Sequence, residues 1–299
     1  MTAKPVSLGA RVTKAIRVRG DAARYAYHAA RRAGGLLRDR PRRAALRALA
    51  PAWFDITKAD GFLVLPPGSF AELPEVVAEA HATLARFESE GRAAPDSWKR
   101  FLVNVLDPSE VTAGSAIVRF ALRDDVIAAV SRYLGIVPRL SAISVLHSDT
   151  VKSAPKSSQL HHCDGDDVTQ VKVFVYCTDV DRRSGPLTVL SADRSARVRK
   201  VAGYTYRDRL SDAQVEAVLG PGTEHPILGP VGTVAFVDTS RCFHFGSRVE
   251  PGAPPRLVTM IQYQTPYAFV RPEQADGRSW LDRLGGASYG PLQRLVLGA

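Results

Sequence analysis

The residues best equipped for chemistry lie in Gln159-Leu160-His161-His162-Cys163-Asp164, which contains an H-x-D triplet, His162 and Asp164. At a strand end, residues i and i+2 share one face, so both side chains can reach one metal ion while Cys163 points away. His244, 82 residues later, follows an apolar run at Thr233–Val237 and is the natural third donor. Two imidazoles and one carboxylate on one face of an octahedron form the facial triad of non-haem Fe(II) oxygenases. Three positions stay open, enough for a bidentate 2-oxo acid and O2. Alone, the triplet is equally a surface pair, and other features must support it.

Arg256 opens the apolar run Leu257–Tyr263, twelve residues after His244. A guanidinium there can grip the distal carboxylate of 2-oxoglutarate through a bidentate, charge-assisted pair. A rim salt bridge is the alternative role for Arg256, and Arg248 is a rival for the anchor. Cys163, Cys177 and Cys242 form no C-x2-C pair. A zinc site using His161, His162, Cys163 or Cys242 therefore lacks the usual tetrahedral spacing. An odd number of thiols makes a disulfide framework improbable and a reducing cytoplasm the simplest setting. His161 is a substrate contact or, by parity, a packing residue on the face opposite His162.

The elements that must position these groups are short and mostly extended after residue 139. Ala142–His147, Val171–Cys177, Leu187–Leu190, Thr233–Val237 and Leu257–Tyr263 read as strands separated by Gly/Pro turns. Upstream, 60–65 (DGFLVL) holds a short strand, and 70–90 and 124–135 read as amphipathic helices. The second has Asp124 or Asp125 near its N-cap and Gly135 at its stop. Strands without alternating helices predict an antiparallel sandwich or barrel. On the fourth of these runs, Asp238 or Thr239 could brace His244 from behind.

In combination, His162-x-Asp164, VKVFVYCTDVDRRSGPL (171–187), GTVAFVDT (232–239), His244 and Arg256 resemble the phytanoyl-CoA dioxygenase family of Fe(II)/2-oxoglutarate-dependent oxygenases. DGFLVL and RFALRDDVIAAVSRYLG (119–135) resemble that family's first strand and the helix before its barrel. The likeness spans roughly residues 52–270. It implies a mainly β fold with flanking helices, built on a double-stranded β-helix (jelly-roll, cupin-like) barrel. It further implies Fe(II) on His162, Asp164 and His244, with 2-oxoglutarate and O2 as cosubstrates. Arg256 would anchor 2-oxoglutarate. Gln159 would touch the cosubstrate or substrate, and Lys172 and Phe174 would line the cosubstrate pocket if their strand face is inward. An outward, solubilising Lys172 is the competing placement.

The implied reaction is hydroxylation of an unactivated C–H bond of a small molecule, with succinate and CO2 as coproducts. Desaturation or cyclisation by the same enzyme, or a catalytically idle ligand-binding barrel, are the alternatives. Ser191-Ala192-Asp193-Arg194 departs from the P-G-S-H of many relatives, and Val258 replaces a Ser or Thr that some place beside the Arg. Retention of Asp164 argues against the halogenase variant. Residues 191–230 are the longest connection between strands and are expected to form a lid. Within it Tyr204, Tyr206, Arg207 and Arg209 are candidate contacts for an anionic, sugar-like or carrier-bound substrate, with surface packing as the alternative.

Charge divides the chain. Of 40 basic and 30 acidic residues, 13 basic and only two acidic ones (Asp21, Asp39) fall in residues 1–50, so the remainder is almost neutral. Residues 1–50 are expected to be a basic helical arm broken near Gly34-Gly35 and Pro41, and residues 51–299 the oxygenase domain. The arm holds none of the candidate ligands. Its expected partner is an acidic protein or an anionic membrane surface, with no nucleic acid expected, since aromatic interleaving is missing. No run approaches the ~20 apolar residues of a membrane span.

Overall fold

A computed structural model of the chain describes residues 8–92, 101–150, 154–270, 279–285 and 289–298. Three basic helices come first: α1 (Leu8–Arg17), α2 (Asp21–Gly34) and α3 (Arg40–Ala48). The expected break at Gly34-Gly35 is present, with the Gly35 N–H closing onto Arg31 O and Arg32 O. A second break falls earlier, where Gly20 is extended ahead of α2. The expected break near Pro41 is the gap before Arg40, and Pro41 itself interrupts no helix. It sits in the first turn of α3, where a missing N–H leaves no intrahelical bond unmade.

The body follows as β1 (Phe62–Leu65), α4 (Leu73–Ser89), β2 (Val103–Asn104), α5 (Ala116–Ala121), α6 (Asp124–Leu134), β3 (Arg139–Ser148) and β4 (Gln170–Tyr176). Then come β5 (Thr188–Val189), α7 (Ala192–Val201), α8 (Asp212–Leu219), β6 (His225–Pro226), β7 (Val234–Val237), β8 (His244–Phe245) and β9 (Arg256–Gln264), closed by α9 (Trp280–Arg283) and α10 (Pro291–Leu297). Gly135 ends α6 in the left-handed region, φ 72°, which a Cβ would disfavour. Asp124 and Asp125 fill the first turn of α6 while Arg123 takes the N-cap position. There the carboxylates meet the positive end of the helix dipole. The 191–230 connection contains two helices, α7 and α8, and the short β6.

All strand pairings are antiparallel. The larger sheet has the order β1-β7-β4-β9-β3-β2, and the smaller one β6-β5-β8. Among the described residues the strands fall in these two sheets. Antiparallel sheets with flanking helices fit a jelly-roll-like arrangement.

Side-chain parity shows what each face covers. Val171, Val173 and Val175 of β4 and Leu257 and Ile261 of β9 join one core with residues of α4, α5 and α6. The alternate residues Tyr176, Val258, Ala235 and Val237 join Leu187 and Val189 in a second core between the sheets. The larger sheet is therefore covered on both faces, which is why its central strands are apolar almost throughout. A cavity opens between the sheets beside this second core.

Candidate metal centre

His162 and His244 face each other through reciprocal backbone hydrogen bonds, His162 N to His244 O at 3.1 Å and His244 N to His162 O at 3.0 Å. Directly paired antiparallel residues project to the same side, so the backbone itself brings the two rings together, with centroids 4.2 Å apart. Two residues on, the Asp164 N–H donates to Thr239 O at 2.8 Å and places the carboxylate on the same side. Its Oδ1 lies 3.8 Å from His162 Nε2 and its Oδ2 3.9 Å from His244 Nε2. One ligand-type atom from each of the three residues falls within 4.8 Å of the others.

The donor set suits a divalent metal. His162 Nδ1 lies 2.9 Å from Leu160 O and His244 Nδ1 3.0 Å from Cys242 O. A carbonyl can only accept, so both Nδ1 atoms carry the proton and both Nε2 lone pairs point inward. Burial pushes both imidazoles below their usual range, and for His162 the neighbouring ring adds to the effect. Burial works against ionisation of Asp164, yet Lys172, His244 and His162 outweigh it and hold the carboxyl far below the ordinary range. Two neutral imidazoles and a carboxylate are the protonation states a metal requires.

The strand β4 supports that carboxylate. Lys172 Nζ sits 2.8 Å from Asp164 Oδ2, so the inward placement holds. Gln170, two residues earlier on the same face, donates from Nε2 to Asp164 Oδ2 at 3.1 Å and to Thr239 Oγ1 at 2.8 Å. Its Oε1 accepts from Gln262 and Gln264 of β9. Sequence reasoning missed Gln170. Its strand parity with Lys172 and Phe174 was the available signal. The support expected from Asp238 or Thr239 for His244 is different here. Thr239 acts through Gln170 on Asp164, while Asp238 is occupied by Tyr133, Thr169 and backbone N–H groups.

The triad opens into a cavity of about 230 Å³ also lined by Lys172, Phe174, Met260, Val258 and Arg256. Arg256 is buried and pairs across the sheet with Ser148. Its Nη2 donates to Ser247 Oγ at 2.9 Å and reaches Ser148 Oγ at 3.4 Å. Its Nε and Nη1 have no partner. Ser247 takes φ 61°, a left-handed conformation rare outside glycine, directly beside the guanidinium. Burial pulls Arg256 below its usual range, and no carboxylate of the described residues offsets it. An unmatched guanidinium in a small cavity is a receptor for an anion.

The other candidates fall elsewhere. Gln159 is buried but braces the wall instead of lining the cavity. Its Nε2 donates to Ser247 O at 2.8 Å and its Oε1 accepts from Lys156 N. His161 points away from the triad, with Nε2 2.7 Å from Glu224 Oε1 and Nδ1 3.3 Å from Asp212 Oδ1. Tyr204 is buried against Phe243, its hydroxyl accepting from Cys163 N. Arg207 is exposed and lines neither cavity beside the triad. Arg248, the rival anchor, is bound bidentately to Asp212 at 2.8 Å per contact. No cysteine of the described residues joins a cluster of potential ligand atoms, and Cys242 Sγ donates to Asp60 O.

The basic helices reach this centre. Arg24 of α2 is fully buried and donates to Gly165 O, Asp167 O and Arg17 O, gripping the loop that leaves Asp164. Its guanidinium stacks 3.5 Å from the Tyr206 ring centroid. Arg17 pairs with Asp166 at 2.6 Å, and Asp21 pairs with Arg199 of α7.

No protein-family model matches the sequence, and no curated protein matches it. Among solved structures, the chain is similar to HygX from Streptomyces hygroscopicus with nickel and 2-oxoglutarate bound (21% identity, 74% of this chain, 90% of that chain, TM-score 0.45). It is similar to the non-heme alpha ketoglutarate dependent carbocyclase SnoK from nogalamycin biosynthesis (18% identity, 73% and 85% covered, TM-score 0.49). A further similar structure is EctD from S. alaskensis in its apoform (17% identity, 73% and 84% covered, TM-score 0.48).

Proposed function

We propose that the chain is a non-haem Fe(II)- and 2-oxoglutarate-dependent oxygenase that hydroxylates a C–H bond of a small molecule, converting 2-oxoglutarate and O2 to succinate and CO2. The fold in this reading is a double-stranded β-helix of the phytanoyl-CoA dioxygenase type. One observation carries the proposal. The same cavity holds three convergent metal donors, His162, Asp164 and His244, and a buried guanidinium, Arg256, with unmatched N–H groups.

Iron bound there would supply O2 activation coupled to oxidative decarboxylation of the 2-oxo acid. The protein's part is to position and to exclude water. Arg256 pairs with the distal carboxylate of 2-oxoglutarate and fixes its length direction along the cavity. Phe174, Val258 and Met260 exclude water from the 2-oxo acid, which strengthens every charge interaction inside. Lys172 and Gln170 engage Asp164 Oδ2 and leave Oδ1 as the free oxygen of the carboxylate.

Succinate formation from 2-oxoglutarate with added Fe(II) tests this directly. Wild-type protein is expected to turn over slowly without a primary substrate, and His162→Ala to lose at least about 100-fold, since ligand loss removes metal binding. Equal turnover by the two proteins would sink the assignment.

A further inference from the structure

A second cavity of about 230 Å³ also touches His162, Asp164 and Ser158. Its remaining walls are of a different kind. They include Arg17 at the end of α1 and Val18 just beyond it, Cys163, Gly165 and Asp166 around and after Asp164, and Tyr206 and Arg209 from the α7–α8 connection. The first cavity is walled by Leu102, Leu146, Phe174, Leu187, Val258 and Met260 around its charged groups. In the second, Val18 is the single aliphatic side chain among the lining residues. A long acyl chain finds no complementary surface there, whereas hydroxyl groups find the Asp166 carboxylate and Ser158, which walls both cavities and whose Oγ has no partner.

Arg209 supplies the charge. It is exposed, its Nη1 donates only to the backbone carbonyl of Asp208, and no carboxylate of the described residues lies within salt-bridge distance. Arg17, by contrast, is paired with Asp166.

We propose that this second cavity seats the primary substrate, and that the substrate is a small polyhydroxylated molecule whose phosphate or carboxylate pairs with Arg209. The basic N-terminal helices then form one wall of the substrate site. That the bound molecule is the one oxidised rests on the oxygenase reading. That it is hydroxylated and anionic rests on the cavity alone.

Isothermal titration calorimetry on the full chain tests both parts. Glucose 6-phosphate and glucuronate serve as phosphate and carboxylate probes, with glucose and glucosamine as neutral and cationic counterparts. At least one anionic probe is expected to bind about ten-fold more tightly than glucose, the scale of a hydrogen bond to a charged group. Whichever binds better identifies the anion. Arg209→Ala is expected to erase the preference and Arg209→Lys to restore part of it. Arg209 is exposed, so circular dichroism should show both variants folded. Equal or tighter binding of glucose or glucosamine overturns the proposal, as does failure of both anions to bind or an anion preference that survives Arg209→Ala. Titrating 2-oxoglutarate with Mn(II) into the same wild-type sample separates the two readings. Its failure to bind counts against the oxygenase assignment and leaves the anion result standing.

Discussion

Four arginines of the described chain are buried, and they differ in what they meet. Arg24 and Arg42 donate to backbone carbonyls, and Arg199 pairs with Asp21. Arg256 reaches only the hydroxyls of Ser148 and Ser247. Desolvating a guanidinium without a counter-ion is costly, so the native fold carries this residue at the expense of its own stability. Such an arrangement makes sense when an anion arrives later. Arg256→Gln is therefore expected to weaken 2-oxoglutarate binding by about 100-fold, near 3 kcal/mol, because truncating one side of a buried charge pair has that scale. Its melting temperature should stay level or rise. Calorimetric titration and thermal unfolding read the two effects separately. A fall in stability with 2-oxoglutarate affinity intact would make Arg256 a structural brace instead.

At the scale of elements, the strands were legible and their facing was only partly so. β-branched and aromatic runs marked β4 and β9, and the H-x-D triplet marked two donors by parity alone. Which face of β4 turned inward was not legible, because both faces are covered and neither is uniformly polar. Nor could sequence show that His162 and His244 pair through their backbones, since 82 residues separate them and no local pattern encodes the bridge. Gln170 escaped notice because a glutamine at a strand start looks like a solvent-facing residue. Gln159 was singled out by its place in the Q-L-H-H-x-D motif of the resemblance, and in the structure its amide closes a local turn. Gln170 offers the sharper test of how β4 serves the centre. Gln170→Leu keeps the volume but removes the donor to Asp164 and Thr239. Metal affinity, measured with Mn(II), is expected to fall at least about ten-fold, as for other residues that orient ligands from behind. If only the melting temperature drops, Gln170 is a core contact and not a positioning residue.

For the molecule as a whole, charge segregation in the sequence suggested a cationic arm beside a nearly neutral catalytic body. The structure distributes that charge differently. Arg11, Lys14, Arg19, Arg32, Arg40 and Arg47 remain exposed and keep a cationic outer face. Arg24 is buried against the loop after Asp164, and Arg42 is buried against Val137 O, Pro138 O and Leu295 O. His28 adds a contact 3.3 Å from the buried Asp167, whose other oxygen accepts from Thr265 N and Oγ1. Deleting residues 1–50 would strip these donors from carbonyls and a carboxylate that the full chain keeps paired and largely buried. Losing one partner from such a buried charged network costs about 3–5 kcal/mol. In a body of this size each kcal/mol shifts the melting temperature by roughly 2–4 °C. The truncated chain is therefore expected to melt at least about 10 °C lower, or to fail to accumulate as soluble protein. Arg24→Ala in the full chain isolates the cause, because it leaves the outer charge in place. A melting temperature within about 2 °C of wild type for both proteins would return the helices to the role of a detachable arm.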